Sequence, residues 1–277
     1  MKKLTIMIVA LLGTIAVMAE TFEGELNYRN FENHSKAVRR LSRGMAYNGA
    51  RDMQVLVKGN VTLACDKTMH ITTILNPDAD YVIVYSDLAK VGLKYPYKVY
   101  ADFYGSALGP NPVIEAQTKD YAVKETGNSK KIGEWDCKSY DGTVSVSAND
   151  MKPTVNYVNI WYIPKYEASE SYRHAFNGVL VPGIIGKWTY NSTAKVPIIG
   201  TMSTYVSMEL KTAEARQIAD AELLPPDDVK IETTNDAAKM YGFHGKAVKA
   251  VKKAGLYPTE AEKNTEVTYK IDEEWDF

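Results

Sequence analysis

The sequence predicts a mainly β protein with a few helices, built as an antiparallel sheet. Three observations lead there. Short stretches rich in Val, Ile, Thr and Tyr recur from Thr21 onward, separated by turn residues. The links between them are short, which favours antiparallel neighbours. No Gly-rich strand-to-helix motif of the phosphate-binding kind interrupts the pattern. Composition agrees: 277 residues, 45% hydrophobic, with 19 Tyr and a formal net charge of -1. That is too apolar for a disordered chain and too evenly charged for a nucleic-acid binder. The length provides one or two domains and a sizeable core.

Taken in order, the chain opens on the basic Met1-Lys2-Lys3, followed by an uncharged apolar run from Leu4 to Met18. Val17-Met18-Ala19 presents short residues to a signal peptidase, and Glu20 opens a polar segment. A Sec signal peptide over residues 1–19 is predicted, cut between Ala19 and Glu20. The rival reading is a membrane anchor, but the apolar run falls short of the roughly 20 residues a bilayer requires. No cysteine lies near the cut for lipid attachment, and no later segment is apolar enough to cross a membrane. The expected address is an oxidising compartment, the bacterial periplasm.

Phe22 to Tyr28 alternates apolar and polar residues, as a half-buried strand should. Met53–Lys58 and Val61–Cys65 flank Gly59-Asn60, a two-residue hairpin turn. Met69–Leu75 and Tyr81–Tyr85 flank the turn Asn76-Pro77-Asp78. Glu134–Tyr140, Thr143–Ser147, Val155–Ile163, Lys187–Tyr190 and Thr204–Leu210 continue the pattern. Ser35–Met45 reads as a helix, with Val38, Leu41 and Met45 on one side. Asp236–Lys253 reads as a second helix, stopped by Gly255 and carrying Met240, Tyr241, Ala247, Val248 and Val251 as its apolar residues. Its lysines suit a solvated face, with a membrane surface as the alternative. Lys211–Leu223 is ambiguous between helix and strand, and Glu266–Phe277 alternates enough for a terminal strand. No internal repeat is evident. Residues 20–232 then form the β domain, and 233–277 a C-terminal helix and terminal strand packed on it.

Several of these segments resemble a family. Phe22-Glu23-Gly24-Glu25-Leu26-Asn27-Tyr28 and Val55-Leu56-Val57-Lys58-Gly59-Asn60 are similar to the opening strand and hairpin of a family of exported bacterial proteins of unknown function. Ile132-Gly133-Glu134-Trp135-Asp136-Cys137-Lys138-Ser139-Tyr140 resembles that family's "I-x-G-Y-x-C-K-x-Y" strand, and Ile160-Trp161-Tyr162 its "V-W-(V/Y)" strand. Gly178-Val179-Leu180-Val181-Pro182-Gly183-Ile184-Ile185-Gly186 resembles the turn of the related GLPGLI proteins. Leu223-Leu224-Pro225 falls in the closing segment. Trp135 stands where the pattern has Tyr, and Leu224 where it has Phe. The resemblance implies a LolA-like fold: a curved antiparallel half-barrel with covering helices, whose concave face holds acyl chains.

The residues offer little for bond-making chemistry. His34, His70, His174 and His244 form no zinc spacing, and no nucleophile elbow is present. The acidic pairs Asp227-Asp228 and Asp272-Glu273-Glu274 lie in polar segments suited to solvent. No cofactor, metal or catalytic group is therefore expected. Cys65 and Cys137 are open to two readings: a disulfide closing a loop of about 70 residues, or two buried thiols acting as small hydrophobes. The apolar Gly178–Gly186 loop is either a lid at the mouth of the half-barrel or a plug in its core. The expectation is a non-enzymatic periplasmic protein binding a lipid, a lipoprotein acyl chain or another amphiphile through Trp161, Tyr162, Leu180, Ile184, Ile185 and Trp188. Its rivals are an envelope interaction protein with a filled core and, less favoured, a hydrolase.

Overall fold

Alternation of apolar and polar side chains is carried through into a single large sheet. The computed structural model describes residues 19–42, 44–104, 117–148, 154–176, 181–196, 200–236 and 238–258. The segment expected as a signal peptide, up to residue 18, the strand expected at Glu266–Phe277, and Leu180 lie outside the described residues. The strands are β1 (Glu20–Thr21), β2 (Gly24–His34), β3 (Gly49–Lys58), β4 (Val61–Asp66), β5 (Ile71–Asn76), β6 (Tyr81–Ser86) and β7 (Val91–Tyr95). They continue with β8 (Gln117–Ile132), β9 (Trp135–Ala148), β10 (Thr154–Glu167), β11 (Gly183–Val196), β12 (Gly200–Ala215) and β13 (Lys230–Thr233). The helices are α1 (Lys36–Leu41), α2 (Tyr97–Tyr104), α3 (Glu170–Ala175) and α4 (Lys239–Lys253).

The 13-stranded sheet is open and runs β13-β7-β6-β5-β4-β3-β2-β12-β11-β10-β9-β8. All neighbours are antiparallel except β13 on β7 and the short β1 on the end of β10. Two sequential meanders are joined by one long-range seam, where β2 pairs with β12 in the register Tyr28 to Leu210.

The turns before β5, β6 and β7 share one construction. Asp66, Asn76 and Ser86 each accept a hydrogen bond from a backbone N–H two or three residues on. Each turn closes on a residue of positive φ, His70 at 53°, Asp80 at 49° and Lys90 at 54°. Strand and turn thus recur with a spacing of ten residues, a repeat hidden because its fixed positions use different side chains.

Both faces of the β3–β7 half are covered. On one face Val55 and Val57 join Leu26, Tyr28, Ile160, Met208 and Leu210 in a core capped by α3. The same face continues into Ile71, Leu75, Val82, Val84 and Leu93, capped by Met240, Phe243, Ala247 and Val248 of α4. On the opposite face Leu56, Leu63, Ile74 and Tyr85 meet Ile218, Leu223 and Val229. After β12 the chain therefore crosses the outer face, runs up the edge as β13, and returns to the inner face as α4. Gly92 permits this: a Cβ there would stand 2.5 Å from Ile231 Cδ1.

Several sequence expectations change. Lys211–Ala215 extends β12, and only Asp220–Leu223 is helical, as a short 3-10 turn. Gly183 to Gly186 opens β11 instead of forming a loop. Of α4's expected apolar residues, Phe243 is buried in place of Tyr241.

Candidate functional site

Of the residues expected to line a ligand site, Trp161 and Tyr162 sit on β10 and Ile184, Ile185 and Trp188 on β11, all in or against the core. Ile184 and Ile185 are both 1% exposed, although consecutive strand residues normally face opposite sides. The register explains part of this: Lys187 pairs with Trp161 and Ile185 with Tyr162, leaving Gly186 as a bulge. At that bulge a Cβ would meet Cys137 Sγ at 2.8 Å.

Ile185 is clamped by its backbone. Its N–H donates to Tyr172 Oη at 2.9 Å, and its carbonyl accepts from Tyr28 Oη at 3.1 Å. The two phenols also share a hydrogen bond of 2.8 Å. Burial pushes both well above the usual tyrosine range, so both stay neutral. Ser171 adds a buried contact to Thr62 at 2.8 Å. α3 is thereby bolted onto the sheet, and of the two readings of the apolar segment, a packed plug describes Ile184 and Ile185.

Tyr162 is buried and donates to Glu125 at 3.3 Å; burial, with that carboxylate nearby, pushes it up to about 12. Trp161 is half-buried, with the Lys130 ammonium 4.0 Å from its ring centre. Trp188 packs against the core, and its indole Nε1 is buried without a hydrogen-bond partner among the described residues.

Cys65 and Cys137 are free thiols. Cys65 shares its side of β4 with Leu63 and the outer cluster, whereas Cys137 belongs to the core beneath α3. The sheet separates them, and of the two readings, separate thiols describe this structure. Burial raises both, Cys137 to about 11, which keeps the thiols protonated and unreactive at neutral pH. Among the described residues no group of three or more His, Cys, Asp or Glu is placed to hold a metal.

A concave site lies elsewhere, between α4 and the β7–β13 edge. It is a groove of about 560 Å³. Leu93 of β7, Ile231 of β13 and Phe243 of α4 supply apolar surface; Lys230, Lys239 and Lys246 supply cations, and Glu232 and Asp236 anions. Lys239 is held by an ion pair with Glu232, which raises its ammonium above the usual range. Tyr95 Oη donates to the Asp236 carbonyl at 3.4 Å, fixing the chain where it turns into α4. Gly242 lines the groove, and a Cβ there would meet nothing within 4 Å. α4 was readable from the residues but the groove was not, because its other wall needs β13, a four-residue strand paired in parallel across a long gap.

α4 also carries a pH-sensitive group. Burial alone pushes His244 down to about 4 from an ordinary value of 6.5. His174 is lowered in the same direction by burial. A depressed histidine binds its proton more readily in the unfolded chain, so stability is full above 6.5 and falls as pH drops toward 4. The unfolding free energy should fall by up to about 2 kcal/mol between pH 7 and pH 5. Urea titrations of the protein and of His244→Leu check this: the variant should lose most of that slope, and an unchanged slope rejects the assignment.

No helix among the described residues is long and apolar enough to cross a membrane. Set against known proteins, the chain is matched by no family model and by no curated protein.

Proposed function

We propose that the chain is an exported periplasmic, non-enzymatic binding protein for an amphiphile, such as a lipid or a lipoprotein acyl chain, built on a LolA-like half-barrel. The amphiphile is taken in the α4 groove and not beneath α3. The observation that carries this is the pairing, in one groove of about 560 Å³, of Leu93, Ile231 and Phe243 with Lys230, Lys239 and Lys246. That volume and lining suit a small ligand with an apolar body and an anionic head. Tyr28, Tyr172 and Ile185 are packed together beneath α3, which favours the groove over that face as the site.

The test uses dodecanoate as probe, followed by calorimetry and native mass spectrometry. The protein should bind about one molecule, and Gly242→Trp should weaken binding at least about tenfold by putting an indole at the groove from a position where a Cβ meets nothing within 4 Å. Binding unchanged in Gly242→Trp rejects the groove. No binding by the unsubstituted protein rejects the amphiphile reading. The second reading, an envelope interaction protein with a filled core, then stands. It is favoured by the clamped α3 and by β8, a 16-residue strand at the open edge of the sheet.

A further inference from the structure

α4 presents two chemically distinct sides. Met240, Phe243, Ala247, Val248 and Val251 are buried against the sheet. Lys239, Lys246 and Lys253 follow one another at seven-residue intervals, two turns and about 10 Å apart, so they line up along one flank. Lys249 lies beside them on the same solvent side, and all four are exposed. This is the flank that overhangs the groove, since Lys239, Gly242 and Lys246 line it. Lys239 is paired with Glu232, whereas Lys246, Lys249 and Lys253 make no ion pair among the described residues. Between Lys239 and Lys249, Gly242 and Gly245 leave the helix bare, with nothing within 4 Å of a Cβ at either position.

A second observation lies at the end of the same helix. Leu256, three residues beyond Lys253, is 50% exposed. It is held there because its N–H donates to the Val251 carbonyl at 3.1 Å. Tyr257 Oη donates to the Gly44 carbonyl at 2.8 Å, which brings the end of α1 alongside. Leu41 at that end is 55% exposed. A line of cations running to the exposed Leu256 matches a lipid surface, with anionic headgroups and hydrocarbon just beneath. A polysaccharide or nucleic acid would use the cations and leave that leucine in water. The end of α1 lies against the other flank of α4, where Gly44 adjoins Val248 and Lys252.

We propose that the Lys246–Lys249–Lys253 flank of α4 docks the protein on an anionic bilayer, with Leu256 entering the headgroup layer and the groove mouth turned toward the lipid. The inference rests on the amphiphile reading and deepens it by naming the source of the ligand, a membrane leaflet. The helix stays packed on the sheet and does not insert.

The experiment is co-sedimentation of the full protein with phosphatidylcholine vesicles, alone or with about 30% phosphatidylglycerol. Binding should be at least about tenfold tighter on the anionic vesicles and should weaken between roughly 0.05 M and 0.5 M salt. The triple variant Lys246→Glu, Lys249→Glu, Lys253→Glu should remove it. Leu256→Ser should weaken it by about threefold or more. Lys124→Glu with Lys131→Glu, exposed on β8 at the far edge, should leave it intact. Equal binding to both vesicles, or full binding by the triple variant, overturns the proposal. So does capture by heparin with no vesicle binding. Dodecanoate binding without vesicle binding rejects the docking alone, and vesicle binding without dodecanoate binding rejects the groove alone, so either reading can fail by itself.

Discussion

Arg51→Met is expected to destabilise the protein by about 3–5 kcal/mol in urea titration, because it strands a buried carboxylate. The Arg51 guanidinium is buried on β3. Its Nη1 lies 2.9 Å from Asp66 Oδ2 and its Nε 3.1 Å from Glu32 Oε1. It also donates to the Met45 carbonyl, and it sits 4.4 Å from the centre of the Tyr47 ring. Burial pushes the Glu32 carboxyl up, and Arg51 and His34 more than compensate, holding it below its ordinary value. Its stabilising contribution is thus present above the unfolded pKa and lost as pH falls through the folded one. In the variant the same carboxyl has lost its main cation, so its pKa rises and acid favours the folded form. The gap between the two proteins should therefore begin to narrow above pH 4.5, as the variant's raised carboxyl takes up its proton, and narrow further below it as the parent loses its own contribution. Adding Glu32→Gln to Arg51→Met should recover part of the loss. A gap that is small, or constant with pH, would show that the cluster is not electrostatically coupled.

Ile184→Asp is expected to unfold the protein, not merely to empty a ligand site. On a mobile lid an aspartate would spoil binding and leave the sheet intact. Ile184 is 1% exposed, pairs with Ile163 in the sheet and adjoins the clamped Ile185. An unpaired carboxylate there faces hydrocarbon, and a loss above about 4 kcal/mol follows. Ile184→Val, which removes one methylene, should cost only about 1 kcal/mol. Circular dichroism and urea titration distinguish the cases. A folded Ile184→Asp of native stability would restore the lid.

What could be read from the residues divides along the range of the interactions. Period-two alternation is local, so β2, β3, β4, β5, β6 and β10 were legible, as was the Gly59-Asn60 turn. So was a helix at Ser35–Met45, shortened in the structure to Lys36–Leu41 with Ser35 Oγ accepting from the Val38 N–H. β8 was missed because Lys124, Glu125, Lys130 and Lys131 give it the composition of a loop, and only its partner β9 makes it a strand. β7 was missed because Gly92 and Lys94 break its alternation. Tyr162, Ile184, Ile185 and Trp188 were read as lining a ligand site; in the structure the first three are core residues and Trp188 packs against them. What clamps Ile185 is α3, a six-residue helix whose position depends on Tyr172 meeting Tyr28 across 144 residues of chain. No local pattern encodes such a contact.

The seam between β2 and β12 bears on how the chain is assembled in time. Each meander closes through neighbouring hairpins, so its pairing entropy is small and it can form early. The seam joins Gly24 to Ala215, and it has to wait until nearly all the strands exist. Until then β2 presents a full edge of unpaired amides and carbonyls, open to another copy of the chain. Refolding from urea should accordingly be limited by seam closure and grow less efficient with concentration. In the cell, β2 would need shelter from strangers for the whole interval before β12 arrives.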